Sequence, residues 1–150
     1  MAETPMTERP AATTGAYGGL GIARAYALVF GIAYVAVALL EDIVGSSGWK
    51  VGGTYILKLT WEQNLVHWGV GVVVLGSFFA GEVAAKIVAR IVGLVFVLVT
   101  ILGFAAREFT GKLLGFGGDL PMSYNYVHLA TAILALFAGF AATRVYRQTA

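Results

Sequence analysis

Cysteine is absent from the 150 residues, which excludes disulfides, thiolate metal sites, iron–sulfur clusters and a cysteine nucleophile. Charge is scarce as well. Asp, Glu, Lys and Arg make up 12% of the chain, about half of the quarter expected in soluble domains, while 59% is hydrophobic and the mean hydropathy is +0.81. Too few charges remain to cover a surface in water, because contiguous exposed apolar patches drive association. The ten basic residues are scattered and the net charge is only +2, so no nucleic-acid footprint and no nucleic-acid partner is implied. Enzyme signatures are missing too. Ser46, Ser47, Ser77 and Ser123 stand in no nucleophile elbow, no glycine-rich loop ends in Lys-Ser or Lys-Thr, and no paired-histidine zinc helix occurs. The expectation is a protein that is not an enzyme.

What is present is length in apolar runs. Four of them, about 22–40, 64–81, 87–106 and 126–145, match the twenty or so residues with which a helix crosses a hydrocarbon core of about 30 Å. Arg90 falls inside the third, where its long stem would carry the charge to the interface. The first twenty residues lack the apolar core of a signal peptide and read as a flexible cytoplasmic tail, leaving 21–147 as a single transmembrane domain. Arg9, Arg24, Lys86, Arg90, Arg144 and Arg147 outnumber Lys50, Lys58, Arg107 and Lys112 on the opposite side. Under the positive-inside rule that bias puts both termini in the cytoplasm of a bacterial inner membrane, and loops 43–63 and 107–124 outside. Trp49, Tyr55, Trp61, Trp68 and Tyr124 supply an aromatic belt there, and the Gly52-Gly53 step between β-prone residues suggests a small hairpin.

Asn64-Leu65-Val66-His67 opens the second run and is echoed sixty-one residues later by Asn125-Tyr126-Val127-His128 at the fourth. Ala23-Arg24 with Leu28-Val29-Phe30 is echoed by Ala89-Arg90 with Leu94-Val95-Phe96 at an offset of sixty-six. The predicted fold is therefore all-α: an integral membrane four-helix bundle of two similar helical hairpins, related by a pseudo-two-fold axis along the membrane normal. Helical spacing from His67 passes through Gly71, Val74, Phe78 and Gly81, and from His128 through Ala132, Ala135, Gly139 and Ala142. Ala23, Ala27, Gly31, Ala89 and Gly93 extend the same device of small residues to helices one and three, so both histidines are expected to face a tight interior.

At the outer rim the offset of sixty-six pairs Asp42 with Glu108 and Glu41 with Arg107. The plainest reading makes Asn64 and Asn125 helix caps, with Asp42 and Glu108 completing a structural polar cluster and each histidine donating to a carboxylate or carbonyl. Sharper readings are a haem iron or chlorophyll magnesium on His67 and His128, a mixed metal site with the two carboxylates, or a small proton-linked carrier. No acidic residue lies mid-span, which weakens a transmembrane proton path. With both Asn-x-x-His openings and the four-span layout in hand, residues 20–146 resemble the family of small bacterial membrane proteins known as domain of unknown function 4383. Trp68 and Tyr126 replace aliphatic residues of a typical member. The resemblance implies a four-span fold and no particular activity or cofactor. The leading expectation is an accessory or scaffolding subunit packed against a membrane-protein partner or a second copy of itself.

Overall fold

A computed structural model of the chain describes residues 20–44, 49–51, 54–57 and 60–141. The tail, with Arg9, and likewise Lys58, Ala142, Arg144 and Arg147 lie outside the described residues. Four helices are long and apolar enough to cross a membrane: α1 (Ile22–Val44), α2 (Trp61–Ala80), α3 (Glu82–Ala105) and α5 (Met122–Phe140). The protein is a multi-pass membrane protein. A short helix, α4 (Arg107–Leu113), precedes α5, and two short antiparallel strands, β1 (Trp49–Val51) and β2 (Thr54–Leu57), lie between α1 and α2 with Val51 opposite Thr54.

α2, α3 and α5 start earlier than the apolar runs suggest, and at α2 polar side chains of the rim are consumed in the cap. Thr60, not Asn64, is the N-cap of α2: its hydroxyl accepts from the Gln63 amide while the Gln63 side chain accepts from the Thr60 amide, a reciprocal capping box. The same hydroxyl donates to the Leu114 carbonyl at 2.6 Å, tying α2 to the end of α4. Asn125 is likewise not a cap, since Pro121 holds that position for α5. Its fixed φ suits a helix start, and the amide it lacks would have had no intrahelical partner there. Between α2 and α3 a single residue, Gly81 at φ 102°, makes the turn, a conformation that a side chain would strain.

Because α3 begins at Glu82 rather than near 87, Arg90 stands close to the bundle end. Its Nε donates to the Gly139 carbonyl at 2.8 Å, and Lys86 Nζ donates to the Ala141 carbonyl. Those two cations take up the carbonyls that end α5 at Phe140, five residues before the apolar run does. Arg24 serves α2 in the same way through the Phe78 carbonyl at 3.1 Å. Glu82 works in the opposite sense. Its carboxylate accepts from the Ala23 and Arg24 amides, placing negative charge at the positive end of the α1 dipole.

The widest interfaces are α1 with α2 and α3 with α5, so the bundle is two helical hairpins joined through α3, which also touches α1 and α2. The packing is small inside and large outside. Ala23, Ala27, Ala85, Ala89, Ala135 and Ala138 fill the centre around Val74, whereas Val29, Ile32, Phe79, Leu94, Leu98 and Phe137 point outward. Lipid tails offer no hydrophobic drive for helix association, so close backbone approach carries it. A β-carbon on Gly31 would lie 2.7 Å from the Leu75 Cα, and one on Gly93 would lie 3.0 Å from the Leu136 nitrogen.

Those contacts also set the register. Gly31 on Leu75 matches Gly93 on Leu136, a shift of sixty-two between α1 and α3 and sixty-one between α2 and α5. The predicted shift of sixty-six between the first and third helices is therefore corrected by one helical turn. Arg24 and Arg90 do perform the same task, because a long side chain reaches across the turn by which their backbones differ.

Candidate functional site

Six residues separate the start of α2 from His67, and six separate the start of α5 from His128. At 1.5 Å per residue both imidazoles sit about 9 Å below their helix starts, at one depth and at the same end of the bundle. Both line a single cavity of about 240 Å³. Its floor is aromatic, with Tyr34 on α1 and Phe96 on α3. The four rings form a continuous series: His67 to Tyr34 at 5.7 Å between centroids, Tyr34 to Phe96 at 6.3 Å, and Phe96 to His128 at 5.6 Å. The imidazoles are tilted from their aromatic neighbours by 51° and 49°. Val66 and Val127, both exposed, form the rim toward the outer face of the bundle, while Leu114, Ser123 and Tyr124 close the loop end.

Hydrogen bonding fixes one imidazole. His67 Nδ1 lies 2.7 Å from the Gln63 carbonyl, which can only accept, so Nδ1 carries the proton and in the neutral ring Nε2 keeps its lone pair. His128 is left open: its Nδ1 is buried with no partner among the described residues. Gln63 thus has two tasks, its side chain closing the α2 cap and its carbonyl setting the tautomer of His67.

The other predicted site residues separate into three places. Asp42 and Asn64 do meet: the Asn64 amide donates to one Asp42 oxygen at 2.6 Å and the Trp68 indole to the other at 3.1 Å, clamping the end of α1 onto α2. Asn125 is fully buried against Gly103, and neither of its amide atoms has a partner among the described residues. Glu108 stands exposed on α4, paired with Lys112 one turn along. The fourfold polar cluster is therefore not assembled. The expected match of Asp42 with Glu108 fails because the register places Phe104, not Glu108, opposite the position of Asp42. Arg107 likewise turns to its own loop, bonding the Leu120 carbonyl and pairing with Asp119 at 3.7 Å.

No group of three histidines and carboxylates converges as a metal site among the described residues, so the mixed site with Asp42 and Glu108 is not formed. The haem and chlorophyll readings divide. The free Nε2 of His67 has the donor chemistry of an axial ligand, but a cavity of about 240 Å³ holds one substituted ring rather than a tetrapyrrole, given that about 150 Å³ accommodates benzene. The residues do not fit a macrocycle without rearrangement. No family model, curated protein or solved structure matches the chain.

Sequence reasoning missed Tyr34, Phe96 and Gln63. Tyr34 lies three residues from Gly31 and Phe96 three from Gly93, so both point from the tight helix crossing toward the histidines. Reading the two glycines as the crossing points would have picked out both rings.

Proposed function

We propose that the protein is a non-catalytic four-span membrane protein whose task is to bind a small membrane-borne ligand in the cleft between His67 and His128. The observation that carries this reading is that two imidazoles from different hairpins, at one depth, line a single aromatic-floored cavity. Concave, mainly apolar pockets with a few convergent polar groups are the usual form of a small-molecule site. The matching mid-bundle contacts support descent of the two hairpins from a duplicated unit, and the paired Asn-x-x-His openings support kinship with domain of unknown function 4383. Lys86 and Arg90, at the end of the bundle where α2 turns into α3, support an orientation with both termini cytoplasmic, and the kinship would imply a bacterial inner membrane.

Service as an accessory subunit of a larger assembly is compatible with ligand binding and rests on small size and the broad apolar girdle. The small-residue faces do not add to it, because Ala23, Ala27, Gly31, Ala132, Ala135 and Gly139 are spent inside the bundle. Purification from native membranes in mild detergent tests both parts. The expected result is a small molecule retained near one per chain by the wild type and lost from His67→Ala and His128→Ala. Extracts with no difference between wild type and variants would overturn the cleft as the functional site, and an absorbance band in the Soret region would show that the cleft opens to a metal-bearing macrocycle.

A further inference from the structure

Resting on the cleft as a ligand site, we propose that its ligand is a membrane-borne hydroquinone, held in preference to the oxidised quinone. The first ground is the direction of the hydrogen bond at His67. With Nδ1–H committed to the Gln63 carbonyl, neutral His67 offers only an acceptor, so the ligand must bring the donor. A hydroxyl does this and a quinone carbonyl does not. The second ground is His128, which lines the same cavity from the opposite hairpin and so places a second imidazole across it. Two hydroxyls on opposite edges of one ring match two imidazoles on opposite walls.

Size and surface agree with this chemistry. The cavity of about 240 Å³ takes one substituted six-membered ring, and the faces of Tyr34 and Phe96 give that ring an aromatic floor suited to offset or edge contacts. The route of entry follows from the rim. Val66 and Val127 are exposed on the apolar flank, not at a polar funnel, so the ligand arrives from lipid and leaves an apolar tail among the acyl chains. Both histidines lie about 9 Å below the helix starts, near the depth at which an amphipathic ring with a tail would rest.

The proposal is a statement about which redox form is bound, and it involves no electron transfer by the protein. Tighter binding of the reduced form raises the potential of the bound couple, by about 30 mV for each factor of ten in this two-electron case.

The test uses purified full-length protein in lipid nanodiscs, with 2-decyl-1,4-hydroquinone and its oxidised quinone as probes and binding followed calorimetrically under anaerobic conditions. The expected result is hydroquinone binding at least tenfold tighter than the quinone. The ratio should fall toward one in His67→Gln, whose amide can donate as well as accept, and hydroquinone binding should be lost in His67→Ala. Helical content by circular dichroism identifies a variant that has simply unfolded; His128→Phe, which keeps an aromatic ring in the wall, then serves as the second variant and should weaken hydroquinone at least fivefold. Equal affinity for the two forms, or hydroquinone affinity unchanged in folded His67→Gln and His128→Phe, would overturn the proposal. A different molecule co-purifying in a His67-dependent way would sink the hydroquinone while leaving the cleft standing, whereas no dependence on either histidine in any extract would remove both.

Discussion

The two hairpins cross alike at mid-bundle and differ at the loop end. In both, a glycine of the first helix lets a leucine backbone approach, Gly31 on Leu75 and Gly93 on Leu136, and an aromatic ring three residues on meets a histidine. At the loop end of the first hairpin several polar side chains are engaged: Thr60 and Gln63 close a capping box, and Asp42 accepts from both Asn64 and Trp68, although the Asn64 Oδ1 itself is buried without a partner among the described residues. In the second, α4 is inserted, Pro121 starts α5 with no side-chain cap bond, and Asn125 faces Gly103 with neither amide atom partnered. Under the mid-bundle register Gly103 occupies the place of Glu41 and Phe104 that of Asp42. Neither Gly103 nor Phe104 carries a carboxylate, and the second asparagine has no partner among the described residues. Contacts that hold helices together thus recur, while those that fasten the rim are particular to one hairpin.

The strongest way to break the likeness is at the crossings. Gly31→Leu and Gly93→Leu each drive a branched side chain into the opposing backbone, and each should cost about 3 kcal/mol or more, at the upper end of overpacking losses. Unfolding in graded SDS, followed by circular dichroism, should show similar losses for both. A large loss in one hairpin alone would mean that the crossings are not equivalent.

The asparagines sharpen the difference. Asn125→Leu replaces an unpartnered buried amide by an apolar group with the same number of side-chain heavy atoms, and should stabilise the protein by about 1 kcal/mol, the low end of the cost of an unsatisfied buried group. Asn64→Leu deprives Asp42 of a donor and should destabilise by about 1 kcal/mol, near the value of an interhelical polar bond. Opposite signs in one unfolding assay are the expected outcome, and equal signs would show that Asn125 has a partner in the membrane.

Caps give the next effect down. Thr60→Ala removes the side-chain half of the capping box and the bond to Leu114, for a loss of about 1 kcal/mol, whereas Pro121→Ala should lie within about 0.5 kcal/mol of the wild type. Amide exchange should quicken in the first turn of α2 and stay unchanged in that of α5. Smallest is Glu82→Gln, which keeps an acceptor for the α1 amides but removes the charge at the dipole end. A loss of about 0.5 kcal/mol that shrinks as salt is added is expected in thermal melts at two ionic strengths.

Much of this was legible in the chain. Four apolar runs of spanning length gave the four long helices, small residues at helical spacing gave the inward faces, and the two Asn-x-x-His openings brought His67 and His128 to one rim. Where the reading missed, a side chain had been assigned by its neighbours in sequence and not by what arrives from another helix. Asn64 looks like a cap because it opens an apolar run, yet Trp61 already lies inside the helix and Thr60 with Gln63 fills the role. The offset of sixty-six came from Ala-Arg pairs, which are free to differ by a turn because an arginine reaches; glycine crossings are not, because backbones in contact leave no slack.

The sequence by itself determined the medium, the number of spans, their alternation and therefore the common depth of the two histidines. All of these follow from hydropathy, length and alternation along one dimension. Only the tertiary structure decided which asparagine finds a carboxylate, which nitrogen of His67 holds the proton, and that Tyr34 and Phe96 floor the cavity between the imidazoles. A buried polar group or ring is defined by what a different helix presents at the same depth, and helical periodicity names a residue's face without naming the residue opposite it.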